Sequence, residues 1–202
     1  ADEDDASLSL IGLDSDRAWA LRERLLIMDM DSDIATSLIG LDSDRAWKFR
    51  DQFLAEGAFS DVAVSLAGLD SDRAWELREE CLANGSVNAI PHSLIGLDSD
   101  RAWELRERLL AAGDVSWGDI ALSLAGLDSD RAWELRDRFL GEEGVKNADV
   151  AQSLAGLDSE RAWELRERFV KEGVSKQDIA YGIYGNRFMA AVRKARADQG
   201  KK

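Results

Sequence analysis

The words "GLDSDRAWELRERL", Gly96 to Leu109, recur in nearly the same letters from Gly12, Gly40, Gly68, Gly126 and Gly156. The glycines lie 28, 28, 28, 30 and 30 residues apart, and a degenerate seventh copy, "YGIYGNRF", puts Gly185 another 29 on. A fixed period in this range is the mark of an array of small units, each too small to bury its own apolar face and therefore packed on its neighbours.

Each unit reads as two helices. In "SWGDIALSLAGL", Ile120, Ala121, Leu124 and Ala125 fall on one helical face. Ser116 with Asp119, and Ser175 with Asp178, resemble capping boxes with Asp in place of Glu. Gly126 suits the left-handed position that ends a helix, with Leu127 as the apolar residue after it. Asp128 is then expected to cap the following helix. In that second helix Ala102, Trp103, Leu105, Leu109 and Leu110 define an apolar arc of about 160°.

Arg106 falls inside that arc, as do its equivalents Arg22, Arg50, Arg78, Arg136 and Arg166. A buried guanidinium needs partners. The expected ones are Asp-Ser-Asp carboxylates or helix C-terminal carbonyls of an adjacent repeat, which would make an inter-repeat ladder. The alternative is a row of anion-binding arginines along a groove. The repeat tryptophans, Trp19, Trp47, Trp75, Trp103, Trp133 and Trp163, are expected in the core. Trp117 stands out of register in a variable loop and is a candidate partner contact.

These patterns give an all-α fold class: an α-solenoid of about seven two-helix repeats of 28–30 residues. About thirteen short helices are expected in one right-handed superhelical stack. The repeats would occupy residues 1–185, and a C-terminal capping helix with a basic tail residues 186–202.

In this pattern of Gly-capped short helix, tight turn and second helix, the chain resembles the α-solenoid class, to which armadillo, HEAT and tetratricopeptide repeats belong. The resemblance is architectural and covers about residues 7–195. The words match none of those signatures; the tetratricopeptide pattern, for one, has 34 residues and a different set of aromatic and glycine positions. The DNA-reading TAL-effector repeats share the two-helix plan, but run longer and carry basic residues.

Net charge is −14. From Arg187 to Lys202 there are six basic residues and one acid, about +5, so the remainder is about −19. An acidic body repels phosphate backbones, which disfavours nucleic acid. No apolar run approaches a membrane span and no signal peptide is visible. With a single cysteine, Cys81, this fits a cytoplasmic location. The chain opens at Ala1 without Met, which leaves room for an upstream segment.

No catalytic constellation is visible. One His (His92) and one Cys cannot make a zinc site of the usual spacing, and "LDSDRAW" lacks the ligand number and Gly turn of an EF-hand. No phosphate-binding glycine loop is present. The expectation is a protein without catalysis, metal or cofactor.

Exposed letters such as Glu104, Glu107 and Arg108 recur, whereas the loops "AEGAFSD", "ANGSVNA" and "GEEGVKNAD" differ. Constant units with variable loops suit a modular binder. The leading reading is a scaffold for a protein or peptide partner along an extended surface. A repeat-per-unit reader of nucleic acid or another repeating polymer, kept open by the arginine row, is one alternative. A structural, self-associating array is the other.

Overall fold

A computed structural model describes residues 9–27, 31–142 and 144–179. The expected seventh copy, the boundary at residue 185 and the capping helix with its basic tail lie outside the described residues.

Among the described residues the structure is all-α. The long helices are α1 (Asp16–Ile27), α3 (Asp44–Ala55), α5 (Asp72–Ala83), α7 (Asp100–Ala112), α9 (Asp130–Leu140) and α11 (Glu160–Lys171). Between them run the short helices α2 (Asp31–Ser37), α4 (Phe59–Ser65), α6 (Ile90–Ser93), α8 (Trp117–Leu122) and α10 (Asn147–Ser153). A 3₁₀ turn, Val87–Ala89, leads into α6, whose second residue is Pro91. Two-helix units thus succeed one another in the manner of a solenoid.

Two compact bodies divide the chain, the first described up to Ser93 and the second from Leu94. In the first, α2 packs on α4 and α4 on α6; in the second, α8 packs on α10. The short helices form the tight row in each body. Their apolar positions are closed to solvent: Ile34, Val62, Ile90, Ile120 and Val150, then Leu38, Leu66, Leu94, Leu124 and Leu154. The long helices supply Ala46, Ala74, Ala102, Ala132 and Ala162 at close approach, then Phe53, Cys81, Leu109, Phe139 and Phe169 as fillers. Cys81 is therefore a core residue at a position that takes a bulky apolar side chain elsewhere.

The turn between the helices shows why the motif starts with glycine. Gly126 has φ 79°, which only glycine adopts without strain. That conformation lets the Leu127 amide reach back to Leu124 O at 3.0 Å, while the Gly126 amide points at the next repeat and donates to Ala155 O at 2.8 Å. Gly96 donates in the same way to Ala125 O at 3.1 Å.

Candidate functional site

The cap of each long helix is the middle serine of Asp-Ser-Asp, not the first aspartate. Ser43, Ser71, Ser99, Ser129 and Ser159 hold the extended N-cap conformation. The expectation that Asp128 caps α9 is corrected: its Oδ1 accepts the Trp133 indole N–H at 2.8 Å and the next repeat's Ser159 hydroxyl at 3.0 Å. A buried indole N–H needs an acceptor, and the tight turn brings the aspartate five residues back within reach. All six repeats make this bond: Trp19 to Asp14, Trp47 to Asp42, Trp75 to Asp70, Trp103 to Asp98, Trp133 to Asp128 and Trp163 to Asp158. Serine hydroxyls cross from repeat to repeat at Asp14 (from Ser43) and Asp98 (from Ser129) as well.

The six arginines lie in the interior, five at 0% exposure and Arg166 at 4%. Arg106 shows the arrangement. Its Nε donates to Ser123 Oγ at 2.9 Å, its Nη1 to Leu97 O at 3.0 Å, and its Nη2 to Leu94 O and Ser123 O, both at 2.9 Å. Leu94 and Leu97 lie in the turn before α7; Ser123 caps the C-terminal end of α8. The guanidinium therefore ties the turn before α7 to the C-terminal end of α8, adding a second donor to Leu94 O, which also accepts the Leu97 amide at 3.0 Å. Arg22, Arg50 and Arg136 repeat the set on Ser37, Ser65 and Ser153. Arg78 donates to Ser93, Leu66 and Leu69, its Nη1 remaining without a partner. Of the two kinds of partner expected, it is the carbonyls that take these hydrogen bonds, joined by serine hydroxyls. Burial pushes Arg50, Arg78 and Arg136 down to about 9 and Arg22 to about 10, against the pull of Asp42, Asp70, Asp128 and Asp14. All four stay charged at neutral pH.

At Arg166 the set is incomplete. Nη2 reaches Leu154 O and Leu157 O, both at 2.9 Å, but Nε and Nη1 have no partner among the described residues. In sequence, Gly182 stands where the earlier copies have their serine.

Each repeat tryptophan carries its own repeat's buried arginine over its ring at 4.5–4.7 Å. At three joints a second arginine, from the following repeat, covers the ring: Arg73 on Trp47, Arg131 on Trp103 and Arg161 on Trp133, at 4.5–4.8 Å. The same arginines pair with the acid four residues after that tryptophan, Asp51, Glu107 and Asp137, at 2.7–2.8 Å. At Trp19 the second layer is Phe49, with ring centroids 5.6 Å apart, while Arg45 pairs with Asp16 at 2.7 Å. Five tryptophans are buried at 2–8% exposure, whereas Trp163 is 45% exposed. Its expected place in the core is corrected: no following-repeat arginine covers its outer face among the described residues.

The expected place of Trp117 in a loop is corrected. It is the first residue of α8, capped by Ser116, rather than a loop residue. It is half-buried, edge-on to Phe139 at 5.6 Å and beneath the Arg138 guanidinium at 5.2 Å.

Compared with family models, curated proteins and solved structures, the chain matches none.

Two equivalent clefts open between long helices of the second body. One is lined by Trp103, Glu107, Leu110, Arg131, Leu135 and Arg138; the other by Trp133, Asp137, Leu140, Arg161, Leu165 and Arg168. At about 230 and 270 Å³ they are smaller than the ~300–1,000 Å³ of small-molecule sites. Among the described residues no group of three or more His, Cys, Asp or Glu is placed to hold a metal. Cys81 is buried and its thiol is pushed up to about 11, chiefly by burial, so it is protonated at neutral pH. No helix among the described residues is long and apolar enough to cross a membrane.

Proposed function

We propose that the chain is a non-catalytic scaffold that holds a protein or peptide partner along the open side of its long helices and the loops beside them. The observation that carries this reading is the division of labour within each repeat. The constant letters are used in repeat-to-repeat contacts: Gly, Asp, Ser, Arg, Trp, the acid four residues on, and the buried Arg. The loops at 56–58, 84–86, 113–116 and 141–146 differ in sequence and are mostly exposed. Partner choice then belongs to the loops and geometry to the constant words. Solenoids use extended faces in this way.

Charge narrows the partner. The chain carries −14, while each cleft is lined by acids and arginines together. The acidic chain as a whole favours a basic peptide and repels phosphate. The arginine row does not offset this, because its guanidinium groups are turned onto backbone carbonyls inside the protein. That supports the ladder over the anion groove.

The test is a fluorescence titration with labelled basic peptides, acidic peptides and single-stranded nucleic acid over a salt series. Binding of a basic peptide that weakens with salt and disappears when the loops at 113–116 and 141–146 are exchanged is the expected result. Tight, salt-sensitive binding of nucleic acid would replace this reading with that of a polymer reader.

A further inference from the structure

The interior joints define a rule for what covers a long helix. The receiving face carries a tryptophan, an acid four residues on and a leucine three further: Trp47, Asp51, Leu54; Trp103, Glu107, Leu110; Trp133, Asp137, Leu140. The helix laid against it carries arginine, then leucine four residues on: Arg73 and Leu77, Arg131 and Leu135, Arg161 and Leu165. In the second and third of these an arginine comes at the next turn, Arg138 and Arg168. The first arginine stacks on the tryptophan and pairs with the acid, and in the second and third the next serine donates to the aspartate that holds the indole.

One receiving face lacks this cover among the described residues. On α11, Trp163, Glu167 and Val170 repeat the pattern, with Trp163 45% and Val170 60% exposed. Asp158 accepts the Trp163 indole at 2.9 Å, but among the described residues it receives no serine of the kind that reaches Asp14, Asp98 and Asp128. One inserting face lacks a receiver of this pattern in the chain. On α1, Arg17, Leu21 and Arg24 repeat the inserting pattern, both arginines are exposed, and no tryptophan precedes Arg17 in residues 1–16. Ser15 stands at the position of the crossing serines.

We propose that a second copy of this chain docks head to tail, with Arg17, Leu21 and Arg24 of one α1 laid against Trp163, Glu167 and Val170 of another copy's α11. Arg17 covers the open indole face and pairs with Glu167, and Ser15 donates to Asp158. The short-helix place beside α10 is already taken by residues 176–179, where Asp178 receives Gln152 at 3.1 Å and Ile179 is buried. Only long helices therefore make the joint, which is weaker than an interior one. The two surfaces differ, so the contact is heterologous and can repeat from copy to copy. At physiological ionic strength the long-range repulsion between two chains of charge −14 is screened, while the stacked arginine is not.

Sedimentation of the 202-residue chain over a concentration series tests this, with Arg17→Glu, Glu167→Arg and the two combined. The parent is expected to grow in mass beyond the monomer as concentration rises into the millimolar range. Each single variant alone is expected to stay monomeric. An equimolar mixture of the two is expected to assemble again, because Arg17 of one variant meets Glu167 of the other and the reversed pair forms at the second contact. The combined variant is expected to assemble again through the reversed pair. A parent that remains monomeric throughout, or single variants that assemble as the parent does, would overturn the proposal. Peptide titration of the same variants is a separate readout, since the clefts of the proposed scaffold function do not include residues 17 and 167.

Discussion

The joint around Trp133 and the edge around Trp163 are built from the same words and differ in their completion. Trp133 lies between Arg136 at 4.7 Å and Arg161 at 4.5 Å, is 3% exposed, and sits above an arginine with all three nitrogens bonded. Trp163 has Arg166 at 4.7 Å on one face, is 45% exposed, and its arginine has two nitrogens without partners among the described residues. The difference shows that a single repeat contains half of each interaction. The repeat word is a two-sided connector, and its exposed letters recur because the next unit needs them.

Substituting equivalent residues on the two sides breaks or sharpens this contrast. The largest effect is expected at the aromatic ring. Trp133→Ala removes a buried indole and both its cation–π contacts, and is expected to destabilise by about 3–5 kcal/mol. Trp163→Ala, with half its face already in water, is expected to lose about 1–2 kcal/mol. Paired urea melts of the two variants check the ratio.

The next effect concerns the acceptor. Asp128→Ala leaves the Trp133 indole N–H buried and unpaired and frees the Ser159 hydroxyl, at an expected loss of about 1–3 kcal/mol. Asp158→Ala, whose tryptophan can turn to solvent, is expected to lose less than half of that. Thermal melts monitored by tryptophan fluorescence distinguish the two, because the indole environment changes at each site.

The smallest effect belongs to the outer arginine. Arg161→Ala removes an exposed pair with Asp137 and the stack on Trp133, and is expected to lose about 0.5–1.5 kcal/mol. In high salt the ion-pair part of this difference is screened, so the gap from the parent narrows. The same melt in low and high salt provides the check.

Much of the architecture was legible in the letters. Period gave the unit, the Ile120–Ala121–Leu124–Ala125 spacing gave the short helix, and Gly126 gave the turn. Roles within Asp-Ser-Asp were not legible. An aspartate just before a helix reads as a cap on local grounds, and only the fold shows that the indole five residues later competes for it. The arginine partners were legible only as one of two kinds, carboxylates or helix C-terminal carbonyls, because a backbone carbonyl has no letter to single it out. One signal was present, the constant serine at Ser37, Ser65, Ser93, Ser123 and Ser153 on an otherwise apolar face. A hydroxyl repeated at a buried position indicates a buried donor opposite it. The exposure of Trp163 depends on the residues after the sixth copy, where the words fade, so the repeat pattern alone placed it with the other five.

The arginine row as internal ladder of the array is tested most directly at Arg106, whose four bonds reach the turn before α7 and the end of α8. Arg106→Ala takes its guanidinium donors from Leu97, Leu94 and Ser123, of which Leu94 keeps the Leu97 amide, and opens space beneath Trp103. The expected result is a loss of about 3–5 kcal/mol in equilibrium urea unfolding, with affinity for a bound basic peptide unchanged under conditions where the variant is folded. A variant that unfolds like the parent while peptide binding is lost would contradict the ladder and make the arginines a ligand groove.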